Sequence, residues 1–369
     1  MVSDLQERNQ KTKVLKIKDI LIIGIVVLLA GCSSDDIATG NGRDDKGFDP
    51  VGMPVHFSVG LEGKALTRSG EVLLPDNSRF VCTMYYHSKT SDNDASDYDV
   101  TTSKIHTAWL KVSGGSGNAV YKNSDFSADG TSFYWQNRLK HAFIAIADNN
   151  HWGTIQDIYT SGDDYTNEYD LSIADQPDPI LALAKEKPTA ATAESNRVTL
   201  NFQHQFSQIQ VNVKNAAGND ITSEQITKVE LLGVSKTGYV YTKLKANGTV
   251  DPPTASEVNI DYFTDEELAT NKWGTSFGMF PTTLADGYLK SFNAIAFGTL
   301  RAIRVTWTGG TATLEVQQNL ESGKMYNYNL SIQRPVAAGT RGLLDDKSQP
   351  SELVLDGDVS ITNWPVKNR

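Results

Sequence analysis

The chain has 369 residues and a formal net charge of −10. That length suits two domains, and the acidic balance, with no dense block of Lys or Arg, excludes a partner held through nucleic-acid phosphates. Two cysteines, Cys32 and Cys82, permit at most one disulfide within the chain.

Arg8, Lys11, Lys13, Lys16 and Lys18 precede an apolar run, Ile20–Ala30, interrupted only by Gly24. The run is about half of what a membrane-spanning helix needs and has the layout of a secretory signal. It closes on Leu29-Ala30-Gly31-Cys32, small residues before a cysteine. That ending resembles the lipobox of bacterial lipoproteins. The resemblance implies cleavage between Gly31 and Cys32, acylation of Cys32 (palmitate among the acyl groups) and anchorage in the outer membrane. A short buried segment followed by an unrelated cysteine is the plain alternative, and the ordered basic, apolar and small-residue regions argue against it. With Cys32 acylated no intrachain disulfide remains, so the fold must rest on its hydrophobic core. Ser33-Ser34-Asp35-Asp36 is similar to the acidic export tag of surface-displayed lipoproteins. Residues 1–31 hold five basic and three acidic side chains, which leaves the remainder near −12.

Residues 32–50 are rich in Asp, Gly and Asn and poor in apolar side chains, which predicts a flexible tether. Met53, Val55, Phe57, Val59 and Leu61 then fall at every second position, a strand with one buried face. Lys64–Gly70 is a connection of small and polar residues around Arg68, a place where proteolytic nicking is plausible. A solvated loop arginine without a role is the alternative reading. Cys82, in Phe80–Tyr85, fits a small buried side chain better than a reactive thiol. Asp92, Asp94, Asp97 and Asp99 suggest a calcium loop, but Asp97 and Ser103 stand where its glycine and glutamate belong, so a solvated acidic loop fits better.

Segments rich in β-branched and aromatic residues predict strands over Ile105–Val112, His141–Ala147, Val198–Val213, Ile226–Val234, Tyr239–Leu244, Phe292–Phe297, Ala302–Trp307 and Met325–Ile332. Asn247-Gly248 and Thr308-Gly309-Gly310-Thr311 are turn signals, and only Ser223–Val229 and Thr264–Thr270 offer short helical stretches. Such spacing predicts an all-β protein of β-sandwiches. The Pro/Ala/Thr-rich stretch at residues 187–196 reads as a linker, giving an N-terminal lobe at 51–186 and a C-terminal lobe at 197–369. Within Val198–Val213 the apolar residues lie on even positions as far as Phe206 and on odd positions from Ile209, so a bulge or kink is expected near Ser207-Gln208. His204 shares the even face and reads as a hydrogen-bonded packing residue, since no second metal ligand is near it in sequence.

Gly274-Thr275-Ser276-Phe277-Gly278 matches a nucleophile elbow, but no histidine follows it. Neither H-E-x-x-H nor a P-loop occurs, and six scattered tryptophans fit core or rim positions as well as a glycan site. No catalytic constellation, metal site or cofactor site emerges, and the chain reads as a non-enzyme. At the C-terminus Leu353, Leu355, Val359 and Ile361 share one parity, with Gly357 between them and mostly polar residues opposite.

Val198-x-Leu200-x-Phe202-x-His204-x-x-Ser207-x-Ile209-x-Val211-x-Val213, the lipobox, Thr67-Arg68 after an early strand, Tyr326-x-Tyr328-x-Leu330 and Ile361-Thr362-Asn363-Trp364 together resemble the fimbrillin family of Bacteroidetes. The resemblance implies two transthyretin-like β-sandwich lobes in tandem, a surface lipoprotein, and a structural subunit of an adhesive pilus. It further implies that a trypsin-like protease cuts after an arginine, here Arg68, and removes the first strand with Val55, Phe57, Val59 and Leu61. The partners would then be other pilin subunits, joined by donor strand exchange, with Leu353, Leu355, Val359 and Ile361 as the candidate donor. Main-chain ladders and alternate side chains would set affinity and register. Arg43 and Arg79 are rival sites, and a cut at Arg341 would sever the donor. Two other readings stay open: a monomeric lipoprotein of this fold that binds a glycan or host protein, and an anchor or tip subunit whose tail pairs only within its own chain.

Overall fold

Alternating apolar side chains make strands, and the strands here are short enough that several sheets are needed to bury them all. The structure, a computed structural model, describes residues 49–61, 79–87, 98, 103–111, 122–123, 133–151, 165–189, 196–216, 220–256, 275–333 and 352–364. Gly31, Cys32, Arg43, Arg68, Arg341, the Asp92–Asp99 carboxylates and the Thr264–Thr270 stretch lie outside these residues.

The strands of the first half are β1 (Phe57–Leu61), β2 (Arg79–Tyr86), β3 (Lys104–Lys111), β4 (Lys122–Asn123), β5 (His141–Asp148), β6 (Thr166–Asp170) and β7 (Pro179–Glu186). After them come β8 (Val198–His204), β9 (Ser207–Asn215), β10 (Ile226–Leu232), β11 (Thr237–Tyr241), β12 (Thr254–Ala255), β13 (Ser276–Gly278) and β14 (Phe280–Pro281). The last are β15 (Lys290–Ala296), β16 (Gly298–Trp307), β17 (Gly310–Leu320), β18 (Lys324–Gln333), β19 (Glu352–Leu355) and β20 (Ser360–Asn363). Of the helical stretch expected over Ser223–Val229, only one 3₁₀ turn forms, Ser223–Gln225, because Ile226 and Val229 are drawn into β10 and the core.

Seven strands form one sheet in the order β1-β8-β7-β5-β2-β3-β4. A second sheet runs β14-β15-β9-β18-β19, with β20 also paired to β18, and a third runs β13-β10-β16-β17. A small sheet, β12-β11-β6, joins β6 from the first half to β11 from the second. The 187–196 stretch therefore connects β7 to β8 within one sheet, and the chain passes to the six-stranded sheet at Gln205-Phe206, between β8 and β9. The break comes at least one residue earlier than the parity change suggests.

β5 sits mid-sheet, which its apolar residues on both faces require. Phe143, Ala145 and Ala147 meet Phe80, Cys82, Met84, Val198, Leu200, Phe202 and the residues leading into β1. Ala142, Ile144 and Ile146 face a second core, filled by Ile209, Val211 and Val213 of β9, Val229 and Leu231 of β10, Ile303 and Val305 of β16, and Tyr326, Tyr328 and Leu330 of β18. The six- and four-stranded sheets thus share one interior, and the fold is all-β and sandwich-like.

Polar side chains fix the seams. Gln176 acts as a stand-in strand beside β15: its Oε1 accepts from Ile295 N–H at 2.6 Å and its Nε2 donates to Ile295 O at 2.9 Å. Glu230 of β10 lies opposite Arg304 of β16 and accepts from its Nε at 2.8 Å, with Lys228 Nζ at 2.7 Å. Burial pushes the Glu230 carboxyl up, but these bonds outweigh it and hold it below the usual carboxylate range.

Candidate assembly site

Among the described residues, β1 is an edge strand with a single ladder partner. It runs parallel to β8, with Phe57 opposite Val198, Val59 opposite Leu200 and Leu61 opposite Phe202. Val198 N–H donates to His56 O at 2.7 Å, and Val55 N–H donates to Phe133 O at 2.8 Å just before the strand. The period-two pattern drives Val55, Phe57 and Val59 into the first core, where Phe57 is 1% exposed. Its ring meets Phe133 edge-on at 5.7 Å and Phe143 edge-on at 5.5 Å. Burying these three side chains contributes roughly 5–9 kcal/mol gross, at about 1.5–3 each. The β8–β7 ladder is registered at Ile180–His204 and Leu181–Gln203, so the ladder with β1 is the longer of the two.

The tail lies on the opposite kind of support, along the edge of β18. β19 pairs Leu353 with Ile332 and Leu355 with Leu330, while β20 pairs Ile361 with Tyr326 and Asn363 with Lys324. The register slips by two residues between these segments, so the tail bulges at Asp356–Val359, where Gly357 takes φ +85°. Asp356 N–H donates to Asn329 O at 2.7 Å, and its carboxylate pairs with Lys214 of β9. Leu353 is buried, Leu355 and Val359 are partly buried against the second core, and Ile361 is 50% exposed.

Beyond β20, Trp364 is buried and stacks on His204, ring centroids 4.1 Å apart and 10° from parallel. Its N–H donates to Gly323 O at 2.7 Å. His204 sits at the end of β8; its Nδ1 lies 2.8 Å from Asp178 Oδ1, with the two side chains 2% and 1% exposed. Asn149 Nδ2 donates to Asp178 Oδ2 at 2.8 Å, and Asp178 N–H donates to Asp148 Oδ1 at 3.0 Å. His151 bridges Asp148 and Asp175 at 2.7 and 2.9 Å. Asp178 and Trp364 stand 26 positions before and 160 after His204, so no local signal in the sequence joins them. Among the described residues no group of three or more His, Cys, Asp or Glu could hold a metal ion.

The described chain is all-β, with β1 at an edge of the seven-stranded sheet and the tail strands β19 and β20 along β18 in the six-stranded one. The fimbrillin-like family profile matches residues 84–364, and the chain belongs to that family. It is accordingly a non-enzymatic, fimbrial protein of the cell surface. Among solved structures, a proposed cell adhesion protein from Bacteroides ovatus shares 14% identity over 85% of this chain and 99% of its own, with a TM-score of 0.51. One from Bacteroides uniformis, also at 14%, covers 85% and 98% with a TM-score of 0.48. The tip fimbrial protein Mfa3 from Porphyromonas gingivalis, with C-terminal truncation, shares 10% over 79% and 95% with a TM-score of 0.36. No curated protein matches the chain.

Proposed function

We propose that the protein is a pilus subunit of two lobes, exported as a lipoprotein acylated on Cys32, cut after Arg68 and assembled by strand exchange. The observation that carries this reading is the position of β1: among the described residues an edge strand with one ladder partner, which with Val55 just before it puts Phe57 and Val59 into a core. Taking away such a strand leaves a groove beside β8 lined by Phe133 and Phe143, with a free ladder edge. Leu353, Leu355, Val359 and Ile361 of a second copy present a like apolar alternation, and in their own chain they are only partly used. A strand added there gains both backbone ladder and side-chain burial. Cleavage at the rival Arg79 is less suited, since it is the first residue of β2 and pairs opposite Lys111.

The ladder of β19 and β20 on β18 favours a second reading, in which the tail stays home and the chain ends a fibre as anchor or tip, or acts as a monomeric surface lipoprotein. A trypsin-like protease applied to the purified chain separates the two, with products followed by mass spectrometry and by gels under mild denaturation. A cut after Arg68 with a denaturation-resistant ladder is expected, and Leu355→Asp should abolish the ladder. A cut product that stays monomeric, or no cut there, leaves the terminal or monomeric role.

A further inference from the structure

We propose that Trp364 seated on His204 is the lock that keeps the tail in its own chain, and that release of the tail to a second copy begins with its unseating; this rests on the strand-exchange reading above. Ser360, Ile361, Thr362 and Asn363 are all exposed, so β20 brings no buried side chain of its own to β18. A ladder of four residues without a buried face is marginal in water. What is buried at this end of the tail is Trp364.

The seat is built independently of the tail. His204, Asp178 and Asn149 stand at the ends of β8, β7 and β5, and their hydrogen bonds orient the imidazole from below. All three belong to or flank the seven-stranded sheet, whereas β19 and β20 pair in the six-stranded one. Trp364 therefore ties the tail across to a sheet with which it shares no ladder. The turn after β17 completes the seat: Ser322 Oγ donates to Gln205 O at 2.8 Å, Gly323 N–H to Phe206 O at 2.9 Å, and Gly323 O receives Trp364 N–H.

The same geometry makes the lock releasable. His204 Nε2 is buried without a hydrogen-bond partner, so the indole covers a polar ring that bonds on one side only. Unseating breaks one backbone hydrogen bond and a ring stack, leaves the Asp178 pair in place, and lets water reach the uncovered imidazole. The tail can thus leave without dismantling its seat.

Hydrogen–deuterium exchange on the uncleaved monomer tests this. In Trp364→Ala the amides of 360–363 should lose protection at least tenfold, with β5 and β9 unchanged, and the ladder formed after cleavage should appear faster. Trp364→Phe, which keeps an aromatic face, should lie between parent and Trp364→Ala, and serves alone should the latter not fold. Unchanged protection of 360–363 in both variants overturns the lock. Lost protection with no ladder in parent or variant upholds the lock and removes strand exchange instead.

Discussion

Single side chains in this protein are governed by what burial leaves them to bond with. His141, in β5, is fully buried, accepts Gln136 N–H on Nε2 at 3.2 Å and has Nδ1 2.8 Å from Leu139 O. Burial lowers its pKa to about 4, so it stays neutral in the fold while an unfolded chain takes up a proton near 6.5. The folded state therefore loses stability as pH falls from about 6.5 towards 4, by roughly 2–3 kcal/mol between pH 7 and pH 4.5 from this group. Denaturant unfolding at the two pH values should show that difference shrink in His141→Gln. Cys82 is wholly buried and burial pushes its thiol up, so a thiol reagent should label it only once the chain is unfolded. That His204 would be buried was legible from strand parity, and that Cys82 would be from its place in the apolar run Phe80–Tyr85. The partners of His204 were not, because parity gives the face of a residue and says nothing of which distant segment covers it.

At the scale of an element the tail is the instructive case. Alternation from Leu353 to Ile361 reads as one straight strand, yet the structure has two segments with a two-residue slip between them. An even slip preserves parity, so the pattern runs through the bulge unaltered. Gly357 was the one sign of it. Its φ of +85° with nothing within 4 Å of an added Cβ means that Gly357→Ala meets backbone strain alone. It should weaken tail docking by about 1 kcal/mol, read as faster exchange of 352–363. Leu353→Ala should cost about 2–4 kcal/mol in denaturant unfolding and Ile361→Ala under about 1, because Leu353 is buried and Ile361 half exposed. β17 was not among the strands named from the sequence, although Ala312, Leu314 and Val316 alternate with exposed Thr311, Thr313 and Glu315 as on a half-buried strand. β7 escaped because Ile180–Ala184 is a short apolar run beside a proline-rich stretch.

For the whole molecule, composition and spacing were enough for an all-β chain of several sheets. They did not reveal that β8 pairs with β7 before the chain crosses to the second core, since a linker-like composition does not say which sheet the next strand will join. Nor did they reveal that β1 and β8, and β9 and β18, run parallel. That first pairing spans the longest sequence separation among the described pairings of its sheet. β2, β3, β5 and β7 can build a sheet from antiparallel neighbours as soon as each has been made. Among the described residues, 57–61 find their ladder only at 198–202, nearly the whole seven-stranded sheet later in sequence. Among the described strands of this sheet, β1 is thus the one whose ladder partner lies farthest along the sequence, while the residues just before it already bond to Phe133 and Trp135.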